Sequence, residues 1–271
     1  MVEIKKLRFK YGKNKQLFDD FSINLENGRI VGLLGKNGAG KTTLLNLIAG
    51  LLFPQQGELH VNGYLPKDRD PNFLADIYMI PEEFALSNVS IASYVKAISP
   101  LYPAFGQDKL TSILSEFELQ PEDKLHRLSH GQRKKFLIAF ALATNCKLLI
   151  LDEPTNGLDI PSISRFRKIL VSSVNEDQLV VISTHHVKDI DTIIDTVVVI
   201  DNGRLAFLEK VEDIGRKYLF ETVSKVENIS RIFHQEKTFS GYRIIRENKS
   251  EEETTIDLEL LFDAIINNKI K

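Results

Sequence analysis

Short apolar segments alternate with segments of helical character along this chain. Three of the apolar segments predict buried strands, because their residues are almost continuously apolar: 28–34, 147–151 and 178–182. The segment 160–174 predicts a helix with Pro161 in its first turn. The alternation predicts an α/β fold with a mixed, largely parallel sheet at its core.

One region departs from this pattern. Residues from about 87 to 127 have helical character, interrupted at Ser99-Pro100 and at Tyr102-Pro103, and they separate two strand-rich parts. We interpret them as a helical subdomain inserted in the α/β core. Four aromatic residues in or near this segment fit either its own core or an exposed interface: Phe84, Tyr94, Tyr102 and Phe105.

The pattern changes again after residues 201–204, whose Asp-Asn-Gly-Arg sequence predicts a hairpin turn. Beyond it lie a strand-like segment at 241–246, a charged bend at 249–253 and a helix from Asp257, a residue suited to the N-cap. We therefore predict a main domain and a small C-terminal α+β region, at residues 1–210 and 211–271.

Composition narrows the functional classes. The chain has 271 residues, 43% of them hydrophobic, which suits one large domain with an appendage at about 150 residues per domain. A formal net charge of −2 argues against a main partner that is nucleic acid or anionic lipid. The single cysteine, Cys146, excludes an internal disulfide, fits a reducing compartment and suits a small buried position.

The N-terminal residues carry no secretory signal pattern. The longest apolar run, 136–143, is shorter than the roughly 20 residues that span a bilayer. These features predict a cytoplasmic protein whose membrane role must depend on a partner.

A glycine-rich segment supplies the first candidate chemistry. Residues 35–42 match the P-loop pattern, between the predicted strand and an apolar helix-forming stretch at 43–49. Glycines let backbone amides surround a phosphate, and the following helix presents its positive dipole end. Lys41 suits the β- and γ-phosphates, and the Thr42 hydroxyl suits Mg²⁺. The candidate phosphate-contacting residues are Gly35, Lys36, Asn37, Gly38, Ala39, Gly40, Lys41, Thr42 and Thr43.

Two acidic residues end another predicted strand. Asp152 follows the apolar run 148–151 and suits Mg²⁺ coordination beside a P-loop. Glu153, one residue on, points elsewhere and can polarise a water that attacks the γ-phosphate. Kinases, GTPases and motor proteins share the P-loop, so these residues predict nucleotide chemistry without choosing among those classes.

Further motifs make the sequence resemble the ABC ATPase family. Leu-Ser-His-Gly-Gln at 128–132 looks like the family's signature, Asn-Gly-Leu-Asp at 156–159 like its D-loop, and Ser-Thr-His at 183–185 like its switch-histidine loop. Tyr11 lies where the family places an aromatic ring against adenine. The resemblance covers about residues 1–210, with every motif in the family's order and spacing.

The resemblance implies a dimer of cassettes, in which each ATP lies between one P-loop and the signature of the other copy. Ser129, Gly131 and Gln132 would face the nucleotide of the partner, at the N-terminus of a helix. Asp159 would link the two sites.

The resemblance also implies roles within one copy. Glu153 would act as general base or orient the attacking water, and Lys41 would bind phosphate. His185 would contact the γ-phosphate and fix both the water and the base. Tyr11 would stack on the adenine. ATP and Mg²⁺ are the expected cofactors.

Two positions depart from the family pattern. His130 replaces the first glycine of the signature, and a positive φ there would cost histidine more than glycine. Glu82 stands where most relatives carry glutamine, and it stays a candidate Mg²⁺ ligand.

The implied function is ATP-driven transport, with export as the favoured direction, through a separate integral membrane subunit. The implied location is the inner face of the cell membrane, and the second cassette can be identical or different. The C-terminal region resembles appendages of single-cassette ATPases from exporters.

Three other functions remain as alternatives. A soluble ABC ATPase acting on ribosomes or nucleic acid is disfavoured by the single cassette, the lack of heptads and the near-neutral charge, so no nucleic-acid partner is expected. A GTPase or kinase leaves the signature unexplained, and residues 248–251 miss the guanine-reading pattern. A nucleotide-binding protein without turnover is the third.

Overall fold

The computed structural model describes residues 1–12, 16–227, 229–249 and 254–270. The described residues form twelve strands: β1 Val2–Phe9, β2 Phe18–Leu25, β3 Arg29–Leu34, β4 Gln56–Val61, β5 Ile77–Ile80, β6 Leu148–Asp152, β7 Leu179–Thr184, β8 Thr196–Asp201, β9 Arg204–Lys210, β10 Tyr218–Val223, β11 Ile232–Thr238 and β12 Gly241–Glu247. They also form eight α-helices: α1 Lys41–Ile48, α2 Pro71–Ala75, α3 Ile91–Ile98, α4 Gln107–Glu116, α5 His130–Ala143, α6 Ile160–Ser173, α7 Val211–Lys217 and α8 Leu258–Ile266.

A six-stranded sheet forms the centre of the fold, in the order β5-β6-β7-β3-β8-β9. Its strands pair in parallel except for β9, which is antiparallel to β8. In register, Leu34 lies beside Thr184, and Asp152 lies beside Ser183. The carboxyl ends of β3, β6 and β7 therefore meet at one edge of the sheet. The predicted α/β fold with a mixed, largely parallel sheet is confirmed.

Each face of this sheet carries its own core, because side chains alternate along buried strands. In β6, Leu148 and Ile150 pack with α1 and the antiparallel sheet β2-β1-β4, whereas Leu149 and Leu151 pack with α5 and α6. All four side chains are almost fully buried. The result is a three-layer arrangement in which the central sheet is covered on both faces.

The region between β5 and β6 is helical, and it contains α3, a short 3-10 turn at Ser99–Leu101, and α4. Aromatic rings from this region surround Phe140 of α5, with ring centroids 5.4 Å away for Tyr94, 6.2 Å for Tyr102 and 5.2 Å for Phe105. These three aromatics are partly buried and belong to the local core. The fourth, Phe84, is also partly buried against this core, and its ring stacks on that of His130 at the start of α5.

The C-terminal region was predicted in part. The hairpin turn lies at Asn202 and Gly203, both with positive φ, and Asp257 caps α8 by accepting a hydrogen bond from the Leu260 amide at 3.0 Å. A small antiparallel sheet, β10-β12-β11, contains two strands that the sequence did not predict. Residues 250–253 of the predicted bend lie outside the described residues.

Helix α8 packs against β8 and β9, and its apolar side chains join the core that α5 and α6 share. The C-terminal region is thus packed onto the main sheet. Within the part of the chain that the structure describes, no helix has the length and apolar character needed to cross a bilayer.

Candidate functional site

The P-loop connects the end of β3 to the start of α1. Gly38 and Gly40 have φ of 78° and 110°, which L side chains rarely adopt. A Cβ on Gly35 would lie 2.6 Å from the carbonyl oxygen of Ile200, so this position has no space for a side chain. Lys41 opens α1, and its Nζ donates to the Gly35 carbonyl oxygen at 2.7 Å. The loop therefore curls around its own lysine, with an open concave side.

An open cavity of about 700 Å³ lies against the P-loop. Its described lining residues are Tyr11, Gln16, Leu17, Lys36, Asn37, Gly38, Gly40, Lys41, Thr42, Thr43, Glu82, Glu153, His185 and Asn202. The fold thus brings most of the P-loop together with Glu82 and Glu153, the two acids from other segments that the cavity exposes. Gly35 and Ala39 are buried beneath the loop.

Glu153 and His185 follow neighbouring strands and interact directly. Oε1 of Glu153 lies 2.9 Å from Nδ1 of His185, and Oε2 accepts from the Thr184 hydroxyl at 3.1 Å. Glu153 has a φ of 47°, in the left-handed region, so its side chain leaves the strand in a direction that extended backbone does not allow. Its carboxylate is 6% exposed and faces the cavity.

Asp152 is fully buried next to Glu153. Its Oδ1 accepts a hydrogen bond from the Ser183 hydroxyl, whereas its Oδ2 is buried without a hydrogen-bond partner among the described residues. A buried carboxylate oxygen with no donor is costly unless a ligand satisfies it. This oxygen, together with the Thr42 hydroxyl, suits a hard cation such as Mg²⁺.

Charges from these acids act on Lys41. Burial lowers the pKa of the Lys41 ammonium, and the negative charges of Glu153, Asp152 and Glu82 oppose that shift. The lysine is only 7% exposed and lines the cavity, so its positive charge acts on an anionic ligand in the cavity.

Tyr11 lies at the mouth of the cavity. Its ring is 46% exposed, and its hydroxyl lies 3.0 Å from the Thr43 hydroxyl. An edge contact with Phe9, at 4.9 Å between ring centroids, supports the ring from behind. One ring surface is therefore available for a planar ligand.

Four of the predicted nucleotide-binding residues lie elsewhere. Among the described lining residues of the cavity, Ser129, Gly131, Gln132 and Asp159 are absent. Ser129 and Gln132 form a capping box at the start of α5, with distances of 3.2 Å and 2.9 Å. Asp159 caps α6, and its hydrogen bonds from Ser162 lower its pKa.

Comparison with known proteins assigns the chain to a family. The family model for ABC transporters matches residues 18–156, which is half of the chain. The chain belongs to the ABC transporter ATP-binding family. As a member of it, this ABC ATPase binds and hydrolyses ATP.

Individual relatives agree. An uncharacterized ABC transporter ATP-binding protein, YybJ of Bacillus subtilis, is 33% identical over 78% of this chain and 97% of its own length. SrtF, a lantibiotic transport ATP-binding protein of Streptococcus pyogenes, is 29% identical over 90% of this chain and 100% of its own.

Solved structures also match. An ATP-binding subunit of an ABC transporter has a TM-score of 0.73 at 27% identity, covering 79% of this chain and 92% of that one. A dimeric cassette bound to ADP and Pi in a post-hydrolysis state has a TM-score of 0.68 at 25% identity, covering 78% and 99%. The ABC cassette fold therefore extends over more than three quarters of this ABC ATPase.

His130 is less strained than the sequence suggested. It is the first residue of helix α5 and is not among the residues with positive φ, so histidine has no left-handed penalty here. Its ring stacks on Phe84, with centroids 5.1 Å apart and planes 22° apart. A Cβ on Gly157 would lie 2.9 Å from the His130 ring, so the D-loop needs a glycine beside this histidine.

Some site residues were missed from the sequence. Gln16, Leu17 and Asn202 line the cavity but belong to none of the nucleotide-binding motifs. The Gly203 amide donates to the Ala39 carbonyl at 3.0 Å, and this bond holds Asn202 beside the P-loop. Lys134 is the most informative omission. It is fully buried on α5, four residues after His130, and that helical spacing is the only sequence signal for it.

Proposed function

We propose that this ABC ATPase is the energy-supplying subunit of a transporter, on the inner face of the cell membrane, and that it works in a dimer of cassettes beneath a separate integral membrane subunit. Relatives named as transport ATP-binding proteins and a dimeric cassette of the same fold support this proposal. Lys41 and the P-loop amides bind the phosphates, and Tyr11 stacks on the adenine.

The contact between Glu153 and His185 is the observation on which the proposed chemistry rests. Glu153 accepts a proton from the attacking water or orients that water. Its carboxylate faces the P-loop cavity, and contacts with Thr184 and His185 fix the direction of the carboxylate. His185 borders the same cavity and contacts the γ-phosphate from there. Among the ion pairs of the described residues, Glu153 pairs with His185 alone. The ammonium groups of Lys41 and Lys134 interact electrostatically with the carboxylate without forming a salt bridge to it.

Mg²⁺ is proposed as the cofactor. Oδ2 of Asp152, the Thr42 hydroxyl and the Glu82 carboxylate are the groups that would hold it, directly or through water. When bound, the ion neutralises charge on the phosphates. Mg²⁺ takes few protein ligands and completes its shell with water and phosphate oxygens, which fits a site with this small donor set.

The signature residues act on the second cassette. Ser129 and Gln132 lie at the N-terminus of the 14-residue helix α5, where backbone amides and the helix dipole favour an anion. Because these residues do not line the cavity described above, we propose that they, with Gly131 and Asp159, complete the site of another copy.

Export is the direction that we propose. Relatives named for lantibiotic and bacitracin transport, from Streptococcus pyogenes and Bacillus licheniformis, favour a peptide antibiotic as the cargo class. A methionine import protein from Carboxydothermus hydrogenoformans is a competing relative, at 33% identity. Uptake of a labelled peptide antibiotic into inverted vesicles that contain the complete transporter distinguishes the two directions.

The variant Glu153→Gln tests the proposed chemistry. The amide cannot take a proton, so we expect kcat for ATP to fall by about a hundredfold or more while ATP still binds. With Mg²⁺ and ATP, light scattering should detect a trapped dimer. Glu58→Gln, at an exposed position of strand β4, is the matched control and should behave as the unmodified protein. Normal turnover by Glu153→Gln would overturn the proposal.

A further inference from the structure

Lys134 is a fully buried cation on helix α5. Its side chain lies at 0% exposure, on the same helical face as the buried Ile138. A lysine is almost never fully buried without partners, because removing its ammonium from water is costly. The contacts of the Lys134 ammonium should therefore compensate for its burial.

The ammonium of Lys134 bridges two segments that border the P-loop cavity. It donates to the carbonyl oxygen of Glu153 at 2.9 Å and reaches the carbonyl oxygen of Glu82 at 3.5 Å. It also lies 5.7 Å from the ring centroid of Phe84, within range of a cation–π interaction. Burial lowers the pKa of Lys134, and the negative charges of Glu82, Glu153 and Asp152 oppose that shift.

The bond to Glu153 acts on a strained peptide. The left-handed φ of 47° at Glu153 costs free energy, and such conformations persist only where the surroundings over-determine them. The Glu153 amide donates to the Ser183 carbonyl at 3.0 Å, and its carbonyl accepts from Lys134 and, at 3.3 Å, from the Asn156 amide. Of the two bonds that this carbonyl accepts, the one from Lys134 is the shorter.

Phe84 joins the same cluster. His130 stacks on its ring while the Lys134 ammonium lies over it, and these two residues are one turn apart on α5. The first two turns of α5, which begins within the signature, are thereby attached to residues 82–84. The cluster consists of Lys134, Phe84, His130 and the carbonyls of Glu82 and Glu153.

We infer that Lys134 is a positioning residue for ATP hydrolysis: its ammonium fixes the backbone of Glu153 and ties it to the segment of Glu82. Lys134 is fully buried and is not among the described lining residues of the P-loop cavity, so it acts through Glu153. The inference rests on the proposed role of Glu153, because the direction of that carboxylate is what the lysine controls.

The variant Lys134→Met in the full chain tests this role, because methionine keeps much of the volume but donates no hydrogen bond. We expect kcat for ATP to fall by about tenfold or more, with KM within about twofold, since nucleotide contacts persist while the base is misdirected. The matched control is Lys109→Met. Lys109 is partly buried and also donates to a backbone carbonyl, that of Ser173 at 2.9 Å, but it lies in α4, away from the cavity.

Thermal unfolding of both variants separates positioning from general destabilisation. If Lys134→Met and Lys109→Met lose stability and kcat to the same extent, or if Lys134→Met keeps its kcat, the inference is wrong. Should Lys134→Met fail to fold, Lys134→Gln replaces it. The amide removes the positive charge and is one bond shorter, so it weakens the bond to the Glu153 carbonyl, and an unchanged kcat in that variant would also overturn the inference.

The two proposals fail separately. Loss of turnover in Glu153→Gln with normal turnover in Lys134→Met would reject only the role of Lys134. Normal turnover in Glu153→Gln would reject the proposed base itself.

Discussion

Oε1 of Glu153 and Nδ1 of His185 lie 2.9 Å apart, one residue beyond the ends of two neighbouring parallel strands. The pairing of Asp152 with Ser183 places the carboxyl end of β6 beside that of β7, which ends one residue further along at Thr184. Glu153 and His185 therefore leave the sheet at the same edge. His185 therefore orients the carboxylate through a contact that the register of the sheet determines.

This relationship predicts the effect of replacing the histidine. His185→Ala removes a hydrogen bond to Glu153, so we expect kcat for ATP to fall by about a hundredfold. His186→Ala is the matched control, because its ring packs against that of His185, with centroids 3.9 Å apart, while the hydrogen bonds to Glu153 come from its neighbours Thr184 and His185. Steady-state ATPase assays compare the two. Equal losses of kcat in both variants would show that disturbance of the loop, and not loss of the His185 ring, slows turnover.

Asp152 predicts a specific dependence on magnesium. In Asp152→Asn the buried Oδ2 becomes an amide nitrogen, which cannot ligate a cation, while Oδ1 still accepts from Ser183. In EDTA, titration calorimetry should find the same ATP affinity for the variant as for the unmodified protein. With Mg²⁺, the ATP affinity should rise for the unmodified protein but not for the variant. Asp76→Asn, which breaks an ion pair with Lys147, serves as control. A full Mg²⁺ effect in Asp152→Asn would contradict the assignment.

Gly203 predicts a large loss of stability. A Cβ there would lie 1.7 Å from the Leu17 carbonyl oxygen, at a φ of 73°. We expect Gly203→Ala to lower the free energy of unfolding by about 3 kcal/mol or more. Gly63 has a φ of 84°, but a Cβ there would have no described heavy atom within 4 Å, so Gly63→Ala isolates the backbone cost, about 1 kcal/mol. Denaturant titration measures both, and similar losses would refute the steric argument.

Cys146 predicts a loss of stability at alkaline pH. Burial raises the pKa of its thiol from 9.0 to about 12, so the unfolded chain releases this proton at lower pH than the folded one. The contribution of the protonated thiol to the free energy of unfolding is complete below pH 9. It declines above pH 9, by about 1.4 kcal/mol per pH unit. Because burial also raises the pKa of Tyr78 and Tyr102, the window to compare is pH 9 to 10. Cys146→Ser should flatten the decline there; an identical pH profile would exclude the thiol as its cause.

The strands that carry the site could be predicted because β3, β6 and β7 are buried on both faces and consist almost entirely of apolar residues. Strands β10 and β11 could not, because they belong to a small, partly exposed sheet and mix charged with apolar residues. Their pairing partner, β12, was predicted from its apolar centre.

The motif residues of the site were also predictable, since each motif is local. The hydrogen bonds of Lys134 could not be predicted, because its partners Glu82 and Glu153 lie 52 and 19 residues away in the chain. Local pattern predicts which face of a helix is apolar, but a buried charge depends on carbonyl groups that only the tertiary fold brings near.

The position of β3 has a consequence for synthesis on the ribosome. Both of its neighbours, β7 and β8, are encoded more than 140 residues later, from Leu179 and Thr196 onward. At about 5–20 residues per second, the nascent chain spends on the order of ten seconds with an apolar strand whose two edges have no partners. The P-loop thus emerges early but gains its fixed position late, when most of the protein has been translated.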